Sequence, residues 1–286
     1  MATLLDEDIK TREVRDWQGV HLLHFSGSAC SQKTRIFLNL KDIDWVSHPV
    51  NLGTQQNYTP WFLGINPRGL VPVLVHDGVV HIESNDILTY LDQAFPSPKL
   101  IANETRDETL SLLREEDDLH LDLRALTMRF VMPKFLAGKR PSSLSTYEAT
   151  MGTVGGVPDP RKEIELGFWQ DYARQGISDD YATSAARKFR KVYRVLETRL
   201  QGQPYLMGGS LSVIDIAWFI YTHRLKDAGY PFERLHPAIH RWYLALLDRE
   251  EFSREVQVPP PLHLITRGLH AVQAVRGSTL VRVAGL

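Results

Sequence analysis

One cysteine, Cys30, stands among 286 residues, and a lone thiol cannot close a disulfide within its own chain. An excess of charge of one sign is missing too. Against 33 Lys and Arg there are 34 Asp and Glu, a formal net charge of -1, which gives no polycationic surface for nucleic acid. No apolar run reaches the roughly 18 to 20 residues that a membrane-spanning helix needs, and stretches such as VIDIAWFIY fit a buried core instead. The opening MATLLDEDIKTREVRDW alternates acid and base without the apolar centre of a signal peptide. A soluble protein in a reducing cytoplasm is expected. Also lacking are a phosphate-binding glycine loop and a credible Ser-His-Asp set. His236 and His240 lie four apart, a spacing able to hold a metal, but no third ligand cluster accompanies them, so no metal is expected.

What is present is an average globular composition, with 43% hydrophobic and 23% charged residues. The length suits two domains, or one with a large accessory part. Residues 1–17 are polar with little periodicity and read as an extension outside the core. HLLHF (21–25) is a short apolar run flanked by turn residues, which predicts a buried strand. TRIFLNLK follows with Ile36, Phe37 and Leu40 on one helical face, so the SGSACSQKTR segment between joins strand to helix. WVSHPVNL (45–52) reads as a second strand. VPVLV and VVHIE flank Asp77-Gly78, a strong tight-hairpin signal, and ESNDILTYLDQAF opens a helix striped by Ile87, Leu88 and Leu91. From about residue 105 long helical patterns take over, notably 107–130 and 179–201. They are interrupted over 137–162 by GKRPSS, GTVGG and VPDPR, which read as an irregular insertion. Ser212 and Asp215 form a capping box at the start of a buried helix. A tail beginning at three prolines closes the chain.

The ordered set SGSACSQKTR, NPRGLVPVL, ESNDILTYL and GGSLSVIDIAW resembles the cytosolic glutathione transferases. SACS with its following basic residues is similar to the zeta class, and SxCSxKTR to the tetrachlorohydroquinone reductive dehalogenases related to it. NPRGLVPVLVHDG is similar to the bacterial glutathione-dependent beta-etherases. The resemblance implies an α/β thioredoxin-like N-terminal domain over 18–98, then an all-α C-terminal domain over 105–260 carrying the insertion, with 261–286 as a tail. It implies glutathione as co-substrate, a small hydrophobic electrophile as partner, and a homodimer. Ser28 falls on the catalytic hydroxyl of the zeta class, and Cys30 on the cysteine that takes up glutathione covalently in the dehalogenase. Ala29, Val71, Pro72 (as a cis proline), Glu83 and Ser84 fall on glutathione-binding positions, the last two at the γ-glutamyl end. Many family members carry Gln or Lys where Leu70 stands here.

The chemistry suits these residue types. A thiol is mostly protonated at pH 7 whereas the thiolate is the nucleophile, so a site must stabilise negative sulfur. A helix start supplies partial positive charge and a serine hydroxyl supplies a hydrogen bond. Cys30 in the same field can resolve a mixed disulfide, or can simply be a small buried residue. Ser28 can equally be an N-cap, Pro72 a trans proline starting a strand, and Glu83 and Ser84 helix-capping residues. His120, Arg124 and Met128 recur every four residues and share one helical face, a candidate wall for an electrophile pocket between the domains. The rival to an enzyme is a non-catalytic protein of the same fold that binds hydrophobic ligands.

Overall fold

The computed structural model describes residues 2–286. In chain order, β1 (Val20–His24), α1 (Ala29–Leu40), β2 (Val46–Pro49), α2 (Pro60–Leu63), β3 (Val73–His76), β4 (Val79–His81) and α3 (Ser84–Ala94) come first. Next are α4 (Arg106–Asp118), α5 (His120–Phe130) and α6 (Lys134–Ala137), then α7 (Pro141–Ala149), β5 (Thr153–Val154), β6 (Val157–Pro158) and α8 (Arg161–Gln175). The chain closes with α9 (Asp179–Arg199), α10 (Val213–Asp227), α11 (Phe232–Leu235), α12 (Pro237–Leu247), α13 (Glu250–Ser253), α14 (Pro260–Arg276) and α15 (Leu280–Ala284). Two compact units result. The first holds the chain up to Pro96 together with Gly138–Gln175; the second holds Ser97–Ala137 and Gly176–Leu286.

The first unit is built on a four-stranded mixed sheet in the order β2-β1-β3-β4. β1 runs parallel to β2 and antiparallel to β3, with Leu22 opposite Leu74, and β3 and β4 form the hairpin. Asp77 and Gly78 turn that hairpin at φ 48° and 76°, the two positive values a tight mirror-image turn needs. Gly78 is required for space as well, because a Cβ there would meet the Arg15 carbonyl oxygen at 2.2 Å. The core below the sheet joins Leu23, Val73, Val75, Val80 and Ile82 to Phe62 and Ile65.

This unit departs from two expectations. The extension is not outside the core: Leu4, Ile9 and Val14 are buried in that same cluster, and Thr3 bridges to His81 at the sheet edge. Three apolar residues spaced five apart match neither helix nor strand period, so their common direction was invisible in the sequence. The stretch over 137–162 is ordered, not irregular: it forms α7, the β5-β6 hairpin and the start of α8, all within the first unit. Tyr147 of α7 is fully buried and stacks on Tyr58, with ring centroids 4.9 Å apart.

The second unit is helical throughout. α10 is its buried centre: Trp218, Phe219, Ile220 and Tyr221 are all buried, as its apolar circumference required. Asp215 completes the capping box and lies inside the fold, accepting from the Ser212 amide (2.9 Å) and hydroxyl (2.8 Å), the Leu206 amide (2.8 Å) and Trp242 Nε1 (3.0 Å). Burial raises its pKa, and these four donors oppose the rise. The proline-led tail forms α14, with Pro260 in its first turn and Gly277 as a left-handed C-cap.

Candidate functional site

The loop from β1 into α1 is fixed from inside the helix. Buried Arg35 reaches back to His24 Nδ1 (3.1 Å) and to the carbonyls of Phe25 (3.3 Å) and Ser26 (3.2 Å). Ser31, also buried, accepts the Phe25 amide through its hydroxyl at 3.3 Å. Held this way, Ser28 is the N-cap of α1, in extended backbone, with Oγ accepting the Ser31 amide at 3.3 Å. A hydroxyl that accepts at its oxygen still has its hydrogen to donate, so capping leaves Ser28 able to address a sulfur. Ala29 and Cys30 form the first turn, both half-buried, and the Cys30 carbonyl accepts from Thr34 Oγ1 at 3.1 Å.

The segment leading to Val71 is pinned at three successive carbonyls. Tyr147 donates its hydroxyl to Arg68 O (2.9 Å), Asn57 its amide to Gly69 O (2.7 Å) and Asn66 its amide to Leu70 O (2.8 Å). The Val71–Pro72 peptide is cis. Leu70 thus fixes the segment through its backbone, which any residue type provides.

Glu83 and Ser84 begin α3. Glu83 sits at φ 66°, ψ 113°, a conformation that costs a non-glycine residue about 1–3 kcal/mol and recurs where a site holds it for a purpose. Buried Lys33 of α1 donates to Asn85 Oδ1 at 2.7 Å, tying the starts of α1 and α3 together. Ser28, Ala29, Cys30, Glu83 and Ser84 are therefore carried by two linked helix starts. Such starts present backbone N–H groups and partial positive charge, which suits thiolate and carboxylate groups.

Sequence reading missed three residues here. Glu83 Oε1 accepts from Arg68 Nη1 at 2.5 Å and its Oε2 from Arg161 Nη1 at 2.6 Å, while Arg68 Nε donates to Asp159. Burial alone would depress the Arg68 pKa, but the carboxylates of Asp159 and Glu83 outweigh it and raise the value. Arg68 stood in the NPRGLVPVL motif and Asp159 and Arg161 in VPDPR, but nothing local linked the two stretches.

In the second unit His120, Arg124 and Met128 are half-buried along α5, and His120 Nδ1 lies 3.2 Å from the Tyr221 hydroxyl. His236 is buried with Nε2 3.0 Å from the Tyr230 hydroxyl, a packing role. Among the described residues no group of three or more His, Cys, Asp or Glu is placed to hold a metal, and no helix is long and apolar enough to cross a membrane.

The glutathione S-transferase N-terminal domain model matches residues 27–94 and the C-terminal domain model residues 170–245, between them half of the chain. The chain belongs to the glutathione S-transferase family. It is 38% identical over 94 residues to glutathione S-transferase 1 of Dianthus caryophyllus, a match covering 33% of this chain and 42% of that one. The chain therefore spans about two fifths of the length of the first such relatives. Protein LigF of Sphingobium sp. strain SYK-6 is 27% identical over 212 residues, covering 73% of this chain and 79% of its own. The crystal structure of beta-etherase LigF superposes with a TM-score of 0.69 at 24% identity, over 83% of this chain and 98% of that one. A glutathione transferase family member from Pseudomonas fluorescens Pf-5, solved with two glutathione bound, gives 0.59 at 19% identity over 86% and 95%. These structural likenesses establish the fold, a small mixed sheet domain followed by a helical one, as the sequence resemblance implied.

Proposed function

We propose that this protein binds glutathione on its first unit and activates it as a thiolate that attacks a hydrophobic, aromatic electrophile. The observation that carries the reading is the start of α1, where Ser28 caps the helix through its oxygen and keeps its hydrogen for a sulfur. In this reading Ala29 and Val71 meet the cysteinyl part of glutathione beside Pro72, and Glu83 and Ser84 hold the γ-glutamyl end. His120, Arg124 and Met128 contribute to the electrophile side, and the protein works as a cytoplasmic homodimer.

The bond formed joins the glutathione sulfur to a carbon of the electrophile, and the bond broken releases its leaving group with the electron pair. A relative named beta-etherase favours an aryl ether as that electrophile. Cys30 offers a further step: its thiolate attacks the sulfur of the thioether, forming a Cys30–glutathione disulfide. The electron pair stays on the carbon, which takes a proton from water. A second reading, carriage of hydrophobic ligands without catalysis, draws on one observation: both oxygens of Glu83 already face guanidinium groups.

Incubation with glutathione and a panel of aryl ethers and haloaromatics, followed by mass analysis, tests this. Glutathione-dependent thioether formation is expected, reduced about ten- to hundredfold in Ser28→Ala, the worth of a hydrogen bond to a charged atom. Reduced aromatic product that vanishes in Cys30→Ser, leaving thioether, assigns the second step to Cys30. Binding of the panel without consumption of glutathione gives the carrier reading.

A further inference from the structure

Four charged side chains meet at the start of α3, and two of them arrive on the insertion. Arg68 lies between Glu83 and Asp159 with 10% of its side chain exposed, and Asp159 is 9% exposed. Arg161, which reaches Glu83 Oε2 at 2.6 Å, is 47% exposed. Asp159 Oδ1 also accepts the Arg161 amide at 3.2 Å, which sets the Asp-Pro-Arg turn at the head of α8. The two guanidinium and two carboxylate charges cancel. Arg68 is thus an inner brace, and Arg161 is the cation that an arriving solute meets.

The insertion is anchored well enough to position that cation. Asp8 accepts from Thr153 Oγ1 (2.5 Å) and from the Gly155 (2.9 Å) and Gly156 (3.1 Å) amides of the β5-β6 hairpin. Lys162, next to Arg161, donates to Glu148 O at 3.1 Å and Thr150 O at 2.5 Å. Asp159 and Arg161 lie outside both stretches matched by the family models, 27–94 and 170–245.

We infer that Arg161 is the carboxylate-binding residue for the γ-glutamyl end of glutathione, and that Glu83 and Arg161 together form a receptor for an amino-acid zwitterion; this deepens, and rests on, the glutathione reading above. The γ-glutamyl end carries an ammonium and a carboxylate on one carbon, complementary to a carboxylate and a guanidinium lying side by side. On binding, Glu83 takes the ammonium and Arg161 turns its planar fork to the carboxylate, a geometry guanidinium favours. Arg68 stays with Asp159 and Glu83, so Glu83 keeps its inner counter-charge. The net charge of the site is unchanged by the exchange, and no half-buried ion is left uncompensated.

The test is calorimetric binding of three peptides to the full chain: glutathione, the 4-aminobutyryl-Cys-Gly analogue lacking the α-carboxylate, and the glutaryl-Cys-Gly analogue lacking the amine. The wild-type protein should bind glutathione about ten- to hundredfold more tightly than either analogue. Arg161→Gln should weaken glutathione and the glutaryl peptide by a similar factor while leaving the 4-aminobutyryl peptide unchanged, and Arg161→Lys should restore part of the loss. Tighter glutathione binding in Arg161→Gln would make Arg161 a plug on Glu83 and overturn the inference. Equal weakening of all three peptides, or none, would make it structural and overturn it as well. Failure of the wild-type protein to bind glutathione removes the glutathione reading and this inference together, a result distinct from wild-type binding that Arg161→Gln leaves intact.

Discussion

Lys41 and Asp92 face each other inside the first unit with side chains 0% and 2% exposed and Nζ to Oδ1 at 2.7 Å. Lys41 Nζ also donates to Phe95 O at 2.6 Å, so the pair pins the C-terminal ends of α1 and α3 as Lys33 and Asn85 pin their starts. Removing one partner of such a pair strands a buried charge, so Lys41→Met is expected to cost about 3–5 kcal/mol. The double change Lys41→Met with Asp92→Leu should regain most of that. Urea unfolding of the three proteins decides it, and a loss in the double variant equal to that of the single one would show that packing, not charge, sets the cost. At this scale the candidate site was legible where its residues are contiguous. Ser28 and Cys30 come from one motif, Glu83 and Ser84 from another, and each can be named from a few neighbours. Arg161 was not legible, because its meaning depends on Glu83, 78 residues away.

At the scale of elements, the insertion shows what a local pattern conveys and what it omits. Asp77-Gly78 announced its hairpin, and Gly155-Gly156, at φ 67° and 76°, carries the same kind of signal between β5 and β6. It does not mark a hairpin in the sequence, because two-residue strands leave no alternation to flank the turn. The element's destination was hidden for another reason: its anchor is Asp8, near the other end of the unit's sequence. Burial pushes the Asp8 carboxyl upward in pKa, but the Thr153 hydroxyl and the amides of Leu5, Gly156 and Gly155 outweigh it and hold the value below the usual 3.8. Stability from this contact is therefore complete above the unfolded value and fades as pH falls through the folded one. Asp8→Ala should expose the hairpin, speeding hydrogen exchange at the Gly155 and Gly156 amides about tenfold or more while amides of α10 keep their protection. Unchanged exchange at those glycines would contradict the anchoring role. Hydrophobic period told more about α3 and α10, where the stripe or the all-round apolar surface matched the observed burial, whereas α1 is buried on every side from Ser31 to Leu38, polar residues included, beyond its Ile36, Phe37 and Leu40 stripe.

For the molecule as a whole, acid sensitivity follows from three buried histidines. Burial pushes His81, His223 and His236 each down to about 4. The unfolded chain takes up these protons near 6.5 while the folded chain resists until about 4, so stability is full above 6.5 and falls as pH drops between the two values. At pH 5 the loss is about 2 kcal/mol per histidine, and the second unit, which holds His223 and His236, should lose more than the first. Denaturation midpoints at pH 7.5 and 5.0 check this, and coincident midpoints would contradict it. The division of labour between a sheet unit with two linked helix starts and a helical unit was legible from the order of motifs, since each half keeps its own periodicity. Placement of 138–175 with the first unit was not, because chain continuity suggested the opposite. The most direct test of the functional account is the pH titration of ultraviolet thiolate absorbance with glutathione bound, for the parent protein and Ser28→Ala. A helix start and one hydroxyl donor together lower a thiol pKa by about one to three units from the free value near 8.5. The account expects bound thiolate at neutral pH in the parent and a return toward the free value in Ser28→Ala; bound glutathione that stays protonated at pH 7 in the parent would contradict it.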